Sequence, residues 1–497
     1  MIDSNYLLTD EQMVQFITKG YLVLHNELPG QLHQGIMNQI HHVMHNEGNP
    51  GNNILPRVPD IQQVFDTPVV KGALSSVLGP DYYMHPHRHC HYNQPGNGSP
   101  GGGQWHKDGY WSSMRSHRPW WVMLFYYTHD ITEELGPTAI MPGTQYYEKF
   151  IGKRGETLLP TGKAGTMVLV HFDLWHKASL NVSQLDRYML KFQFVRLSAP
   201  EFPSWNHQNK EMIVPDGTPA LHLNLWQDVW NWLRGERSSN QDHDTAAMDE
   251  RISASALGDQ LNDPVETTAL NAAYALGQLG DEGIAILIKH IKGGSNQTAE
   301  RAAYGLQSAG IEAIPELLHC LTHIDERRRA LAIFVLGMIG SPEGGVMSAL
   351  ISSLNDESEW VCRNAIEALG QLRNPDRQAV SALAKCLKES VLSESGDASE
   401  LSAPNESNKT FANHQPYIMN KIGYTAALSL LRIGKAGDML EVVNSLETAL
   451  FNSKDRYVRA YAAEALTHLR SKEAVDLLIR YYRSSRWCPD TSKASTF

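Results

Sequence analysis

The feature that most constrains the fold is a nine-residue phrase that recurs in the second half of the chain. Each copy places small residues ahead of a leucine at helical spacing, which lets one helix pack closely on another. The six copies are AAYALGQLG at 272–280, AAYGLQSAG at 302–310, AIFVLGMIG at 332–340, AIEALGQLR at 365–373, AALSLLRIG at 426–434 and AAEALTHLR at 462–470. A period of roughly 30–36 residues is typical of stacked helix pairs, so the phrases predict an all-α solenoid.

The first 236 residues have a different pattern. After two helices they contain strand-like runs rich in aromatic and β-branched residues, separated by Gly/Pro turns. Strands without intervening helices favour an antiparallel sandwich or barrel over a parallel α/β sheet. The chain is therefore predicted to be multidomain, with the following parts: a β domain at 1–236, a polar linker at 237–246, a helical array at 247–484 with a flexible insertion at 391–416, and a tail at 485–497.

Composition narrows the class of protein. A chain of 497 residues is long enough for two or more domains. No apolar run approaches the roughly 20 residues of a membrane span. Five scattered cysteines without a CxxC pair favour a reducing cytoplasm. The net charge of −11 disfavours nucleic acid as a partner.

The stretch GGGQWHKDGYW at 101–111 carries the pair His106 and Asp108 directly after a glycine run. The run lacks the Gly-Lys-Ser/Thr ending of a phosphate loop, and no helix pattern follows it. In a strand, residues two apart point to the same side, so both side chains can reach one metal ion. The best third ligand is His176, which follows a predicted strand end, and Arg187 opens the next strand.

Two histidines and one carboxylate on one face of a metal are the arrangement of non-heme iron(II) oxygenases. An arginine on the adjoining strand can hold a cosubstrate carboxylate through its two-pronged fork. The same His-x-Asp pattern occurs at 171–173 and 323–325. We interpret the first as too close in sequence to His176 to share a site with it, and the second as solvated surface.

Other histidines and aromatic residues allow more than one interpretation. His85, His87, His89 and His91 alternate along one expected strand, where they form a second metal site or, as the preferred alternative, line the cavity. The helix that contains His33, His41, His42 and His45 is expected to expose them to solvent. Trp111 is a candidate for the substrate mouth. Lys191 shares a strand face with Arg187 and is expected to assist it or to meet an anionic substrate.

The ordered set His106, Asp108, His176 and Arg187 resembles the phytanoyl-CoA dioxygenase family of Fe(II)/2-oxoglutarate-dependent oxygenases. The segments LTDEQMVQFITKGYLVL, DITEELGPTAIMPGTQ and HKASLNVSQLDR are similar to that family's N-terminal helix and strand, turn segment and C-terminal ending, and the resemblance covers about residues 6–200. Segments such as DESEWVCRNAIEALGQLR and KDRYVRAYAAEALTHLR resemble HEAT repeats.

The resemblance implies a double-stranded β-helix (jelly roll) with iron at His106, Asp108 and His176 and with 2-oxoglutarate on Arg187. By analogy with the related ectoine hydroxylases, Asn93 is a further cosubstrate contact. Ala178 stands where the family often has a hydroxyl residue, and Ser179 is the candidate substitute. Related halogenases lack the carboxylate ligand, so Asp108 favours hydroxylation.

These features predict a cytoplasmic dioxygenase that uses Fe(II), 2-oxoglutarate and O₂. The expected substrate is a small molecule or a carrier-bound one, without nucleic-acid binding or membrane insertion. The array is expected to fold without the barrel and to recruit a protein or carrier-bound substrate on its concave surface. Two alternatives remain open: a HEAT-repeat scaffold with a degenerate barrel, and a cupin-like metalloenzyme that does not use 2-oxoglutarate.

Overall fold

The computed structural model describes residues 3–96, 98, 100–150, 152, 155–236, 252–394, 417–434 and 439–484. The expected linker at 237–246 and the tail at 485–497 lie outside the described residues, as does the expected insertion at 391–416 from residue 395 to its end. No helix of the described residues is long and apolar enough to cross a bilayer.

The N-terminal domain is built on two antiparallel sheets. Its strands are β1 (Tyr21–His25), β2 (Tyr82–Met84), β3 (His89–Asn93), β4 (Trp121–Tyr127), β5 (Ala139–Ile140), β6 (Thr166–His171), β7 (His176–Lys177) and β8 (Arg187–Arg196). The larger sheet has the order β1-β6-β4-β8-β2, and β3 also pairs with β8. The smaller sheet pairs β5 with β7, and isolated bridges from His106 to His176 and from Ile140 to Leu158 extend it. The expected double-stranded β-helix is confirmed.

Helices cover the larger sheet of this domain. They are α1 (Asp10–Lys19), α2 (Gly30–His42), α3 (Ile54–Arg57), α4 (Ile61–Phe65), α5 (Pro68–Leu78) and α6 (Leu223–Leu233). Helix α1 begins and ends where the sequence indicates. Thr9 and Gln12 form a capping box at its start, and Gly20 ends it with a φ of 78°. The central strands β4 and β8 are buried along their whole lengths, so the barrel core lies between them and the smaller sheet.

The C-terminal domain is entirely helical over its described residues, which confirms the solenoid. Its helices are α7 (Ala254–Gln260), α8 (Glu266–Gly277), α9 (Gly280–Gly293), α10 (Asn296–Ala309), α11 (Ile314–Cys320), α12 (Glu326–Ile339), α13 (Val346–Ser353), α14 (Glu359–Leu372), α15 (Arg377–Leu392), α16 (Lys421–Ile433), α17 (Leu440–Asn452), α18 (Arg456–Leu469) and α19 (Lys472–Ser484).

The six phrases of the sequence form one layer of this array. They lie in α8, α10, α12, α14, α16 and α18, and each of these helices packs on the next. The small residues of the phrases allow neighbouring helices to pack closely. A Cβ on Gly305 would lie 2.4 Å from the carbonyl oxygen of Ala273, and a Cβ on Gly277 would lie 2.3 Å from that of Gly305. We call these six helices the inner layer, because they face the barrel.

The barrel segment at 111–118 lies against the inner layer. Arg363 of α14 donates to the carbonyl oxygen of Trp111 at 2.7 Å, and the Ser113 amide donates to a carboxylate oxygen of Glu367 at 3.0 Å. The Arg118 guanidinium donates to the carbonyl oxygen of Met338 at 3.0 Å. The inner face therefore contacts the chain's own barrel, and independent folding of the array stays a prediction.

Candidate metal centre

Three predicted ligands converge at one end of the barrel. The Nε2 atoms of His106 and His176 lie 3.9 Å and 3.7 Å from Oδ1 of Asp108, and the two imidazole rings are 4.5 Å apart. One ligand atom from each residue falls within 4.8 Å of the other two. Two imidazole nitrogens and one carboxylate oxygen on one side of a point fit a facial Fe(II) site, which needs three protein ligands and open positions.

The backbone brings the two histidines together although they are far apart in sequence. His106 and His176 exchange both of their backbone hydrogen bonds, each at 3.0 Å, across the edge of the smaller sheet. The segment around His106 forms only this isolated bridge, so the expected regular strand is not present there. Asp108 still reaches the same point from two residues further along.

The second nitrogen of each ring fixes its orientation. Nδ1 of His106 lies 2.8 Å from the carbonyl oxygen of Gln104, and Nδ1 of His176 lies 2.9 Å from that of Leu174. A carbonyl accepts but does not donate, so each Nδ1 carries the proton and each Nε2 presents its lone pair. This is the usual outer-shell support of metal-binding histidines.

The charges around the ligands favour the protonation states that a metal needs. Burial lowers the pKa of His176 to about 4, even though the Asp108 carboxylate opposes this. Burial alone would raise the pKa of Asp108, but the Lys191 ammonium and the two imidazoles bring it below its ordinary value. Nζ of Lys191 lies 2.6 Å from Oδ2 of Asp108, so Lys191 contacts the carboxylate ligand rather than Arg187.

A group of buried polar atoms lies where β3 pairs with β8. Asn93 stands directly opposite Arg187 in the register, and both are almost fully buried. Nη1 of Arg187 donates to the carbonyl oxygen of His91 at 3.3 Å, and Nδ2 of Asn93 donates to that of Ser179 at 2.9 Å. Nε of Arg187, Oδ1 of Asn93 and Nε2 of His91 are buried without a described hydrogen-bond partner. Such atoms are costly unless a ligand pairs with them.

The glycine run contacts His106, one of the predicted metal ligands. Gly102 has a φ of 77°, and a Cβ there would lie 3.2 Å from Cε1 of His106. The Ala178 amide donates to the carbonyl oxygen of Gly102 at 2.8 Å, which ties the run to the segment after β7. The run therefore turns the chain over the His106 ring, and no phosphate-binding helix follows it.

The expectation that four alternating histidines share one strand face is wrong. The strand breaks at Pro86, which has no amide hydrogen for the ladder, so β2 ends at Met84 and β3 starts at His89. His89 and His91 remain beside β8. His85 and His87 turn to the array, where they lie 3.2 Å and 2.6 Å from the hydroxyls of Tyr424 and Tyr457.

Other expectations are corrected by burial. His33 is only 1% exposed and pairs with the Tyr126 hydroxyl at 2.7 Å, whereas a solvent-facing position was expected. Trp111 is buried, with Nε1 donating to Gln193 at 2.6 Å and its ring beside Tyr424. It therefore belongs to the domain interface.

The other two His-x-Asp pairs have structural partners. Asp173 pairs with Arg115, and Asp325 caps α12 by accepting from the Arg327 amide at 2.8 Å. A further group, His41, His45 and Asp186, also brings three possible ligand atoms together, but its two histidines are exposed.

An array residue is linked by hydrogen bonds to Asp108 of the candidate metal centre, which the sequence did not indicate. The Tyr304 hydroxyl donates to the carbonyl oxygen of Arg115 at 3.2 Å, and Nη2 of Arg115 donates to that of Asp108 at 2.6 Å. The separation of these residues along the chain leaves no local pattern that would reveal the contact.

Comparisons with known proteins agree with these features. Residues 38–189 match the family model of phytanoyl-CoA dioxygenase (PhyH). Residues 312–396 match the HEAT repeats model, and residues 269–293 and 458–484 match the PBS lyase HEAT-like repeat model. The resemblance to this oxygenase family, joined to HEAT-like repeats, is thereby confirmed. No curated protein matches the chain significantly.

Solved structures similar to the chain include the non-heme enzymes SnoK and ThoJ and the protein EctD. The alpha-ketoglutarate-dependent carbocyclase SnoK from nogalamycin biosynthesis is 15% identical, covers 38% of this chain and 87% of its own, and has a TM-score of 0.32. EctD from S. alaskensis, solved with 2-oxoglutarate and 5-hydroxyectoine, is 17% identical, with 42% and 84% covered and a TM-score of 0.32. The monooxygenase ThoJ, solved as a nickel complex, is 12% identical, with 44% and 94% covered and a TM-score of 0.31.

Proposed function

We propose that the chain is an Fe(II)- and 2-oxoglutarate-dependent dioxygenase that hydroxylates a small-molecule or carrier-bound substrate. The observation that carries this proposal is the convergence of His106, Asp108 and His176 in a barrel whose strand β8 also carries a buried arginine, Arg187, with an unpaired nitrogen. The three residues would hold the iron through two neutral imidazoles and one carboxylate. When bound, Fe(II) and 2-oxoglutarate supply the activation of O₂, with 2-oxoglutarate converted to succinate and CO₂.

The protein's own contribution is binding, orientation and exclusion of water. Arg187 would hold the far carboxylate of 2-oxoglutarate, since its guanidinium is buried and a planar fork suits a carboxylate. Asn93 stands opposite it and offers an unpaired amide oxygen, so its role is to line the pocket or to bind through water. Lys191 would hold Asp108 in place through its ion pair.

Hydroxylation is the favoured outcome because Asp108 occupies the third ligand position. We propose a cytoplasmic location, supported by Cys90, Cys320, Cys362 and Cys386, which are unpaired thiols. A protein partner would bind the helices of the array that do not belong to the inner layer, because the inner layer contacts the barrel.

Metal binding tests the proposal directly. Under anaerobic titration the purified chain should bind about one Fe(II), and His176→Ala should abolish this binding because it removes one of three ligands. His323→Ala, from the His-x-Asp pair in the array, is the matched control and should bind like the wild type. Full Fe(II) binding in His176→Ala would refute the site. Normal Fe(II) binding with no 2-oxoglutarate binding would favour the cupin-like alternative, and no metal binding in the wild type would favour the scaffold.

A further inference from the structure

A cavity of about 640 Å³ lies between the barrel and the array. Asp108, Glu148 and Asp173 line it from the barrel, and Glu266, Glu300 and Tyr304 line it from the inner layer. Its volume falls within the ordinary range for a small-molecule site. Asp108 is the one predicted metal ligand among its described lining residues, so the cavity adjoins the segment that carries the candidate metal centre.

Most residues that line the cavity have polar side chains, and the rings of Tyr110, Tyr146, Tyr304 and Tyr417 contribute its apolar surface. Leu270 is the only aliphatic side chain among its described lining residues, and the others are charged, hydroxyl-bearing, amide-bearing, aromatic or glycine. An acyl chain in this space would remove water from charged groups without replacing the lost hydrogen bonds, which is unfavourable. A hydrophilic occupant would replace them.

One carboxylate of the array, that of Glu266, has an oxygen that can accept a hydrogen bond from a ligand. Glu266 lies at the start of α8, and Oε1 accepts the Glu148 amide across the domain boundary. Its second oxygen has no hydrogen-bond partner among the described residues, and Glu266 forms no ion pair among them. Burial raises the pKa of Glu266, and burial also raises the pKa of Glu300 to about 7, with the Glu148 carboxylate adding to the shift. Glu300 is already paired with Arg327 at 2.8 Å, so the second oxygen of Glu266 is the acceptor that a hydrogen-bond donor of a ligand would meet.

The array is also linked to the metal-binding segment through Arg115. Tyr304 of α10 donates to the backbone of Arg115, and the Arg115 guanidinium donates to the backbone of Asp108 and pairs with Asp173. An array residue is therefore two hydrogen-bonding steps from a metal ligand. The repeats form part of the site's wall.

We propose that this cavity is the substrate site, that it takes a small hydrophilic molecule with hydrogen-bond donors rather than an acyl chain, and that the repeats recognise it through Glu266. This inference rests on the proposed function, since the cavity adjoins a reaction centre only if His106, Asp108 and His176 bind the metal. The array then determines specificity, in place of the recruiting role expected from its sequence.

Paramagnetic relaxation can test this before the substrate is known. The full chain is loaded with Mn(II) as a spectroscopic substitute for Fe(II), and proton line widths are measured for a mixture of the proteinogenic amino acids, glucosamine and octanoyl-coenzyme A. At least one hydrophilic compound should broaden through binding near the metal, and the octanoyl chain should not. Broadening of the octanoyl chain alone, or of no hydrophilic compound, would overturn the proposed substrate class.

Two variants locate the binding. Leu270→Trp should fill the cavity and abolish the broadening, whereas Ala285→Trp on the exposed face of α9 should not. Glu266→Gln should weaken binding about 10-fold or more, as expected for loss of a hydrogen bond to a charged group, and Glu282→Gln on α9 is its control. If Leu270→Trp fails to fold, Glu266→Gln alone decides.

The two hypotheses fail differently. Unchanged broadening in both cavity variants would refute the cavity while leaving the metal centre intact. Failure of the wild type to bind Mn(II) at all, measured by the free Mn(II) resonance signal, would instead refute the proposed function on which the inference depends.

Discussion

Three buried polar side chains without complete hydrogen bonding are the main evidence for a ligand-binding site in the barrel. Arg187, Asn93 and His91 each bury a polar atom without a described partner, and all three atoms belong to the β3–β8 pair. Buried polar groups are normally satisfied, so three unsatisfied atoms on one strand pair support the proposal that a polar ligand binds there. A carboxylate of 2-oxoglutarate is complementary to the Arg187 nitrogen, and the Asn93 oxygen would accept from water instead.

Arg187→Ala should therefore weaken 2-oxoglutarate binding while leaving Fe(II) binding intact. Truncating one partner of a buried charged pair costs about 2 kcal/mol or more, which corresponds to a rise in Kd of roughly 30-fold or more. Arg187→Lys should recover only part of this affinity, because an ammonium cannot form two parallel hydrogen bonds. Titration calorimetry of the iron-loaded proteins measures both quantities. Wild-type affinity in Arg187→Ala would show that the carboxylate is held elsewhere.

Gly102 offers a second test at this scale. Its φ of 77° and its contact with the His106 ring mean that Gly102→Ala should strain the turn and displace that ring. We expect weaker Fe(II) binding, by about 1 kcal/mol or more for a residue forced into this conformation. Gly101→Ala is the matched control, because its Cβ would meet nothing within 4 Å. Equal Fe(II) affinity in the two variants would contradict the positioning role of Gly102.

The sequence could predict these residues only in part. His106, Asp108, His176 and Arg187 follow from residue type, order and family resemblance, because ligand chemistry restricts which side chains qualify. The ion pair of Lys191 with Asp108 and the burial of His33 depend on contacts between distant segments. No local pattern encodes such contacts.

At the scale of helices and strands, periodic patterns were the reliable signal. All six phrases occur in described helices, since their leucines and small residues repeat with the helical period. Strand predictions failed where a single proline interrupted the pattern, as at Pro86 in the histidine series. That break decides which histidines face the barrel and which face the array.

The close approach of α8 and α10 leads to a prediction about stability. Gly305→Ala should lower the free energy of unfolding by about 1–3 kcal/mol, as overpacking usually does, because the new Cβ would lie 2.4 Å from a backbone oxygen. Gly35→Ala, in the interior of α2 with nothing within 4 Å, should instead be neutral or stabilising. Chemical denaturation measures both. Equal stability changes would mean that α10 shifts freely to accept a methyl group.

At the scale of the whole molecule, buried polar contacts join the two domains. Arg363 is 2% exposed, and besides Trp111 it contacts Thr425, with Nε donating to the threonine hydroxyl at 2.9 Å. Arg432 lies over the Trp120 ring at 5.1 Å. Separation of the domains would remove the Trp111 carbonyl oxygen from Arg363 and the Trp120 ring from Arg432. Sequence periodicity identified the array but could not reveal what its inner face contacts.

We therefore expect the domains to unfold together. Tryptophan fluorescence, which mainly reports the barrel, and far-ultraviolet helicity, which mainly reports the array, should give coincident transitions in the full chain. Arg363→Met should lower the free energy of unfolding measured by either probe by about 2–4 kcal/mol, because it removes buried charge-assisted hydrogen bonds. Arg373→Met, which breaks a partly exposed pair with Asp81, should have little effect. Separate transitions in the wild type would support the independent array expected from the sequence.

The contacts of segment 111–118 also restrict how the array can vary in length. Repeat solenoids ordinarily gain or lose units with little penalty, because each unit depends only on its neighbours. Here α10, α12 and α14 each meet particular barrel atoms within one short stretch of chain. A repeat inserted between any two of these helices would displace the following helices and break their hydrogen bonds to the barrel. The number of repeats between α10 and α14 is therefore set by the barrel.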